Sequence, residues 1–591
     1  MENKQTNGSA FFILKIAQTM KERTTITLFA VLFAIMGIHA QAVAPMLKSL
    51  WHQGYPFNKD IPNRVNAGCG PIAVAQILNY YQYPVHGYGH VTLYNDLDYS
   101  MHTIDWDNII NTYDEYNEVQ ANAVANLVWH VGAAMTLKYP NNGTDNNRMI
   151  WGLQKYLHIS PKCRFRLRKF YSTEQWLKML DEQLASGHPV YYRGRAFRYG
   201  CDPSGIGHIF VIDGKNEEGL YHFNFGHANK EQDKYTSLDV INQSADIYPG
   251  DYGIYYNWEQ GMATDLYPDE YFNEEEFNDY PVYLDEPLHL NYDRKMDELT
   301  IPIGETFYLS TKLHIYTKDY FIKNEGGNNW TWQRALGVYH DSKFLTAIYS
   351  PQSQSFTISS SISSTLPFSI PASLEDGEYE LKVVIRRNDD ESWKPVWDIA
   401  PNHIAATVNN GYVTLKTMGD HTQETHLYLT EPIKKIGDYH NEVNGILYSM
   451  RIKNPTDNNF ENNIKFTIKG LDGKDSKDFE QMASVYASCE VEYHFLIPYN
   501  EYSDVSSLGH FNVEASYYEH NTNQYVKLTT DVPDISSVLT IKDEVRQRYI
   551  SIYDTNGRLR KRVSDSIAPL SGLPKGCYVI KQGATTRKVI K

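Results

Sequence analysis

The chain reads as an α+β domain of two lobes, followed by β-sandwich modules and a small C-terminal β-unit. Three observations predict this. Helical periodicity dominates to about residue 185, strand patterns take over from Pro189, and beyond residue 286 short alternating strands recur between turn signals. At 591 residues the chain is also too long for one hydrophobic core.

The first helix is predicted from Pro71 onward, with Ala73, Ile77, Tyr80 and Tyr81 at helical spacing. Glu118 to Met135 carries Val124, Leu127, Val128, Val131 and Met135 on one face. Ser172-Thr173-Glu174-Gln175 is a capping-box signature, opening a helix with Trp176, Leu177, Leu180 and Leu184 that Gly187 and Pro189 end. Strands follow at Val190 to Tyr192, Ile209 to Asp213 and Leu220 to Phe225. Asp269 to Glu286 is acidic and aromatic and reads as a linker. Two β-sandwich modules are expected over residues 287–420 and 421–535. Residues 536–591 form a last unit, with an Asn556-Gly557 turn between two strand patterns.

Composition narrows the function. A formal net charge of −16 without a Lys/Arg block excludes a nucleic-acid surface. Five cysteines in this length do not make a disulfide framework, and a Cys163–Cys201 bridge is not deducible. Met20-Lys21-Glu22-Arg23, the apolar stretch Ile26 to Ile38 and Ile38-His39-Ala40-Gln41 match a secretory signal peptide, with residues 1–19 an upstream extension. The apolar stretch is short for a stable membrane span; the competing reading is an uncleaved anchor.

Cys69 lies between Gly68 and Gly70, just ahead of Pro71. That places its sulfur at or just before a helix N-terminus, where unpaired N–H groups and the helix dipole favour thiolate. A cysteine nucleophile needs a base, a group that orients the base, and oxyanion donors. His208, in Gly207-His208-Ile209-Phe210-Val211-Ile212-Asp213-Gly214, is the candidate base: a glycine opens space beside it and an apolar strand mounts it. With a hairpin turn inside Asp213 to Gly219, His208 falls opposite position 225. Asn224, one residue away, reaches the histidine through a bulge or slip. Gln53 is the candidate oxyanion donor, together with the Cys69 N–H. The spacing from Cys69 to His208, 139 residues, falls in the papain-type range. There is no His-Glu-x-x-His pattern and no phosphate loop, so no metal or organic cofactor is implied.

Several separated motifs, in order, resemble the streptopain family of cysteine peptidases over about residues 43–268. They are Trp51-His52-Gln53-Gly54-Tyr55-Pro56-Phe57-Asn58, Gly68-Cys69 with Ala75-Gln76-Ile77, Pro189-Val190-Tyr191-Tyr192, and the Gly207 to Gly214 stretch. The resemblance implies a papain-like fold for residues 41–268 and endopeptidase activity on protein or peptide substrates. It also implies Cys69 as nucleophile, His208 as base, Gln53 in the oxyanion hole and Asn224 beside the histidine. The chain departs from the family in Asn224-Phe225-Gly226-His227-Ala228-Asn229, where a glycine- and tryptophan-rich stretch is usual, and in Gly70-Pro71. Family zymogens carry a long propeptide, and about ten residues after the signal are too few for one. A separate inhibitor or chaperone, or a terminal module, is expected instead. The last unit resembles the sorting domain of the type IX secretion route in Ile552-Tyr553-Asp554, Leu573-Pro574-Lys575-Gly576 and Lys588-Val589-Ile590-Lys591. That implies a Gram-negative source, the type IX machinery as partner, and a secreted or outer-membrane-surface location. The competing functional reading is a peptidase-like surface protein that binds peptides or host proteins without turnover.

Overall fold

The computed structural model describes residues 42–590 outside the intervals 92–96, 141–145, 197–205, 229–234, 240, 244–253, 270–281, 291–296, 316–330, 352–355, 358–361, 388–389, 422–424, 441–443, 471–475, 499–510, 520–522, 532–548, 555–558, 565–576 and 583–584. The expected signal peptide, Cys201, most of the acidic linker, the Asn556-Gly557 turn and the Leu573 to Gly576 motif lie outside the described residues. Residues 43–214 and 221–533 form one compact unit; residues 534–591 belong to a second.

Four helices carry the first lobe and its edge: α1 (Cys69–Tyr81), α2 (Glu118–Ala134), α3 (Asn146–Leu157) and α4 (Thr173–Ala185). Helix α1 is buried continuously from Gly70 to Leu78. Small residues all round it (Ala73, Val74, Ala75) let neighbours approach its backbone, the pattern of a central helix. Capping boxes open two of the others. Asn117 and Gln120 exchange both bonds before α2, and Ser172 and Gln175 do so before α4. Each box satisfies the N–H groups of the cap residue and of the third helical residue.

A six-stranded sheet stands against these helices, built from β1 (Arg164–Leu167), β2 (Val190–Ala196), β3 (Ile206–Lys215), β4 (Tyr221–Asn224), β5 (Tyr235–Thr236) and β6 (Trp258–Thr264). Its order is β1-β6-β2-β3-β4-β5. Strand alternation divides its residues between two cores. Tyr191, Val211 and Ala263 join the core of α1, α2 and α3. Val190, Tyr192, Phe210, Ile212 and Met262 face the other way, against Trp176, Leu180 and Leu184 of α4.

That second core does not stop at the sheet. It continues into two further sheets, through Leu309, Leu313 and Phe368 on one and Leu336, Val383 and Leu415 on the other. A segment at 396–400 seals the join: Leu167 N–H donates to the Ile399 carbonyl, and Arg166 pairs with Asp398 at 2.8 Å. The next pair of sheets has its own core around Ile452, Phe466, Val485 and Phe495. In the second unit, strands Leu559–Ser564, Tyr549–Asp554, Cys577–Gln582 and Thr585–Ile590 pair in that order.

Candidate active site

Helix α1 begins at Cys69 itself, and Gly68 before it has φ +93°. That left-handed backbone strains any side chain but glycine's, and it turns the chain abruptly into the helix. Pro71 sits in the first turn, where a missing N–H costs nothing. Cys69 is half-buried and its thiol is free. Burial pushes this thiol above its ordinary value, while the N–H groups of Ile209, Gly70 and Cys69 itself pull the other way. The Ile209 N–H belongs to the residue next to His208. The nucleophile helix and strand β3 therefore meet at the sulfur.

His208 lies on β3, on the face of Phe210 and Ile212, and is 6% exposed. Its partner on β2 is Gly194. A Cβ at Gly194 would stand 2.4 Å from the Tyr256 carbonyl, so only glycine admits the Tyr256 backbone there. The Tyr256 ring in turn packs 5.3 Å from the imidazole, with Phe225 stacked on another side at 6.4 Å. His208 Nε2 bonds the Phe225 carbonyl at 2.9 Å. A carbonyl only accepts, so Nε2 carries the proton and Nδ1 is the basic nitrogen. Burial lowers the imidazole to about 3, with His227, its ring 5.0 Å away, adding to the effect and the Phe225 carbonyl opposing it. Burial therefore favours the neutral thiol and the neutral imidazole.

Asn224 occupies a different place from the one expected. Its amide donates to the Ser49 carbonyl at 2.9 Å and to Gln76 Oε1 at 3.2 Å, and its own oxygen accepts from Gly226 N–H at 3.1 Å. The contact expected between Asn224 and the imidazole is replaced by the backbone bond from Phe225. The reason lies in the hairpin. Strand β3 runs on to Lys215, and the turn closes later, with Asn216 N–H bonding the Leu220 carbonyl. A later turn brings Asn224 against a different part of β3.

Gln53 stands beside the cysteine through its backbone: the Ala67 N–H donates to the Gln53 carbonyl at 2.9 Å, two residues before Cys69. The same segment is tied to the loop after β4, because Ala228 N–H donates to the Trp51 carbonyl at 3.0 Å. The structure thus gathers Cys69, His208 and the Gln53 segment in one region, and adds His227, Tyr256 and the Phe225 carbonyl. His227 carried a sequence signal, a histidine where the family has other residues. A backbone carbonyl carries none. Elsewhere, Cys163 is a free, buried thiol.

The Peptidase C10 family matches residues 51–235. Streptopain of Streptococcus pyogenes is 28% identical over 243 residues, which cover 35% of this chain and 59% of that protein. The thiol protease/hemagglutinin PrtT of Porphyromonas gingivalis is 26% identical over 252 residues, 38% of this chain and 28% of its own length. The chain thus spans well under two thirds of these relatives. The structure of the active interpain A cysteine protease of Prevotella intermedia is 33% identical, covering 39% of this chain and 96% of that one, with a TM-score of 0.35. The likeness to these cysteine peptidases lies in the N-terminal part of the chain, where residues 51–235 match the Peptidase C10 family.

Proposed function

We propose that this protein is an exported cysteine endopeptidase that hydrolyses peptide bonds of proteins. Cys69 is the nucleophile, His208 the base, and the Gln53 amide with the Cys69 N–H the oxyanion donors. The observation that carries the reading is the junction of α1 and β3. The sulfur accepts from the N–H of Ile209, next to a histidine whose Nε2–H is committed to a carbonyl. That commitment leaves Nδ1 as the only ring nitrogen able to take the thiol proton.

In the proposed reaction, His208 Nδ1 takes the proton as sulfur attacks the peptide carbonyl, forming the S–C bond and an oxyanion. The imidazolium then returns the proton to the leaving amine as the C–N bond breaks, giving the thioester. Water, deprotonated by the same imidazole, splits the thioester and restores the thiol. The Phe225 carbonyl holds the ring in its tautomer and stabilises the imidazolium without adding charge beside the sulfur.

The same proposal includes export through the N-terminal apolar segment and the C-terminal unit, with the type IX machinery as partner. A separate inhibitor or chaperone keeps the enzyme latent. Casein digestion by the purified full chain, with and without reductant, tests the activity. Digestion by wild type under reductant, and none by Cys69→Ala, is expected. Equal digestion by the two overturns it.

A further inference from the structure

Gln76 is fully buried on α1, seven residues and about two turns beyond Cys69, on the same side of the helix. It has no part in the chemistry above. Its amide meets that of Asn224 head to tail: Gln76 Nε2 donates to Asn224 Oδ1 at 3.3 Å, and Asn224 Nδ2 donates back to Gln76 Oε1 at 3.2 Å. The remaining valences reach backbone. Gln76 Oε1 also accepts from Trp51 N–H at 3.3 Å, Asn224 Nδ2 donates to the Ser49 carbonyl at 2.9 Å, and Asn224 Oδ1 accepts from Gly226 N–H at 3.1 Å. Both donors and both lone pairs of Asn224 are therefore used.

We propose that the Gln76–Asn224 amide pair is the positioning hub of the active site, holding nucleophile, base and oxyanion segments in mutual register; the proposal rests on the peptidase reading. The arms end near the proposed reacting groups: Trp51 is two and Ser49 four residues from Gln53, and Gly226 follows Phe225, whose carbonyl holds His208. Gln76 is part of the helix that presents Cys69. The bonds to Ser49 and Trp51 fix the strand of chain that leads to Gln53. The bond that Asn224 Oδ1 accepts from Gly226 N–H, on the far side of Phe225, orients the peptide whose carbonyl takes His208 Nε2. With all four valences of Asn224 used against a fully buried Gln76, one geometry is favoured, because alternatives leave polar groups unmet. Amides also do this without placing a charge beside a thiol and an imidazole that exchange a proton. Asn224 thus acts through Phe225 rather than on the imidazole directly.

The test compares wild type, Gln76→Met, Asn224→Leu and the double variant. The readings are casein hydrolysis at limiting and saturating substrate, and the rate of iodoacetamide alkylation at Cys69. Met and Leu keep bulk and remove the hydrogen bonds. Each single variant is expected to lower the saturating rate about 10- to 100-fold, the effect of small misplacement. KM should stay within about twofold, and the double should lose no more than the worse single, as residues acting as one unit do. Folded single variants at wild-type rate, or losses that multiply in the double, overturn the proposal. If Gln76→Met does not fold, Asn224→Leu, which leaves Gln76 in place, decides the proposal by itself. A loss of rate is expected there too, and wild-type rate again overturns the hub. Should wild-type casein hydrolysis prove independent of Cys69, the peptidase reading fails by itself. The alkylation rate then still decides the hub, which is overturned if folded variants match wild type.

Discussion

Two buried polar regions of the same unit are built on opposite principles. At the junction between the six-stranded sheet and the last pair of sheets in that unit, a full charge is buried among several partners. Arg168, 1% exposed, donates to Gln260 Oε1 at 2.8 Å, the Leu238 carbonyl at 3.2 Å and Asp239 at 3.0 Å, with the Tyr486 ring 4.1 Å from its Cζ. Burial works against that charge, and the Asp239 carboxylate outweighs it, so the guanidinium stays well above its usual value. Asn459 clamps the same turn, donating to the Lys169 and Tyr171 carbonyls at 2.8 and 2.9 Å while accepting from Ala487 N–H. At the proposed active site, the described partners of the thiol and the imidazole are backbone N–H groups, a carbonyl and the His227 ring. A thiol and an imidazole are pushed toward neutrality, and amides and carbonyls hold them. The difference separates support from chemistry: a fixed charge held on several partners locks a joint, whereas a site that moves a proton keeps its titratable groups only lightly committed.

The largest way to break this contrast is at the base. His208→Ala should reduce casein hydrolysis about 10³- to 10⁴-fold, the cost of losing one member of such a constellation, while the melting temperature changes little. A variant that keeps more than a tenth of the rate would remove His208 from the reaction. At the junction the signs reverse. Asp239→Ala should cost about 3 kcal/mol in unfolding free energy, the low end for breaking a buried pair, because Asp239 itself is 34% exposed. Denaturant unfolding measures that loss, and turnover at low temperature should survive it.

Protonation gives the third test. Burial lowers His130 to about 4 and His208 to about 3. The unfolded chain therefore takes up these protons first as pH falls. Stability from the two groups is complete above pH ~6.5 and is lost progressively toward pH ~3, with about 2 to 3 kcal/mol lost at His130 alone. Chemical denaturation across that range should show a decline that His130→Leu flattens; an unchanged slope contradicts the assignment. The smallest effect is at Tyr486, whose hydroxyl oxygen accepts the Gln260 N–H at 3.0 Å. Tyr486→Phe should cost about 1 kcal/mol in stability with kcat unaltered.

These two regions were also unequally legible. Cys69 and His208 stand out because their chemistry is carried by side chains within short motifs, and strand alternation put His208 on the Phe210 face. The capping boxes at Asn117 and Ser172 follow from local sequence alone. With the strand ending at Asp213, Asn224 falls next to the position opposite His208; strand β3 instead continues to Lys215 and the turn closes between Asn216 and Leu220, which shifts the register. The true partner, a backbone carbonyl, has no residue type to read. The junction left no trace, since Arg168 meets residues 70 to more than 300 positions away. Gln76 was noticed only as part of a motif, because a helix glutamine looks solvated until its helix is seen to be buried.

Reaction of the full chain with a thiol-reactive peptidyl inhibitor tests the central claim most directly. Stoichiometric label on Cys69, absent in Cys69→Ala and greatly slowed in His208→Ala, is the expected outcome. Equal labelling of wild type and Cys69→Ala, or a Cys69 that reacts no faster than the buried Cys163, would contradict it.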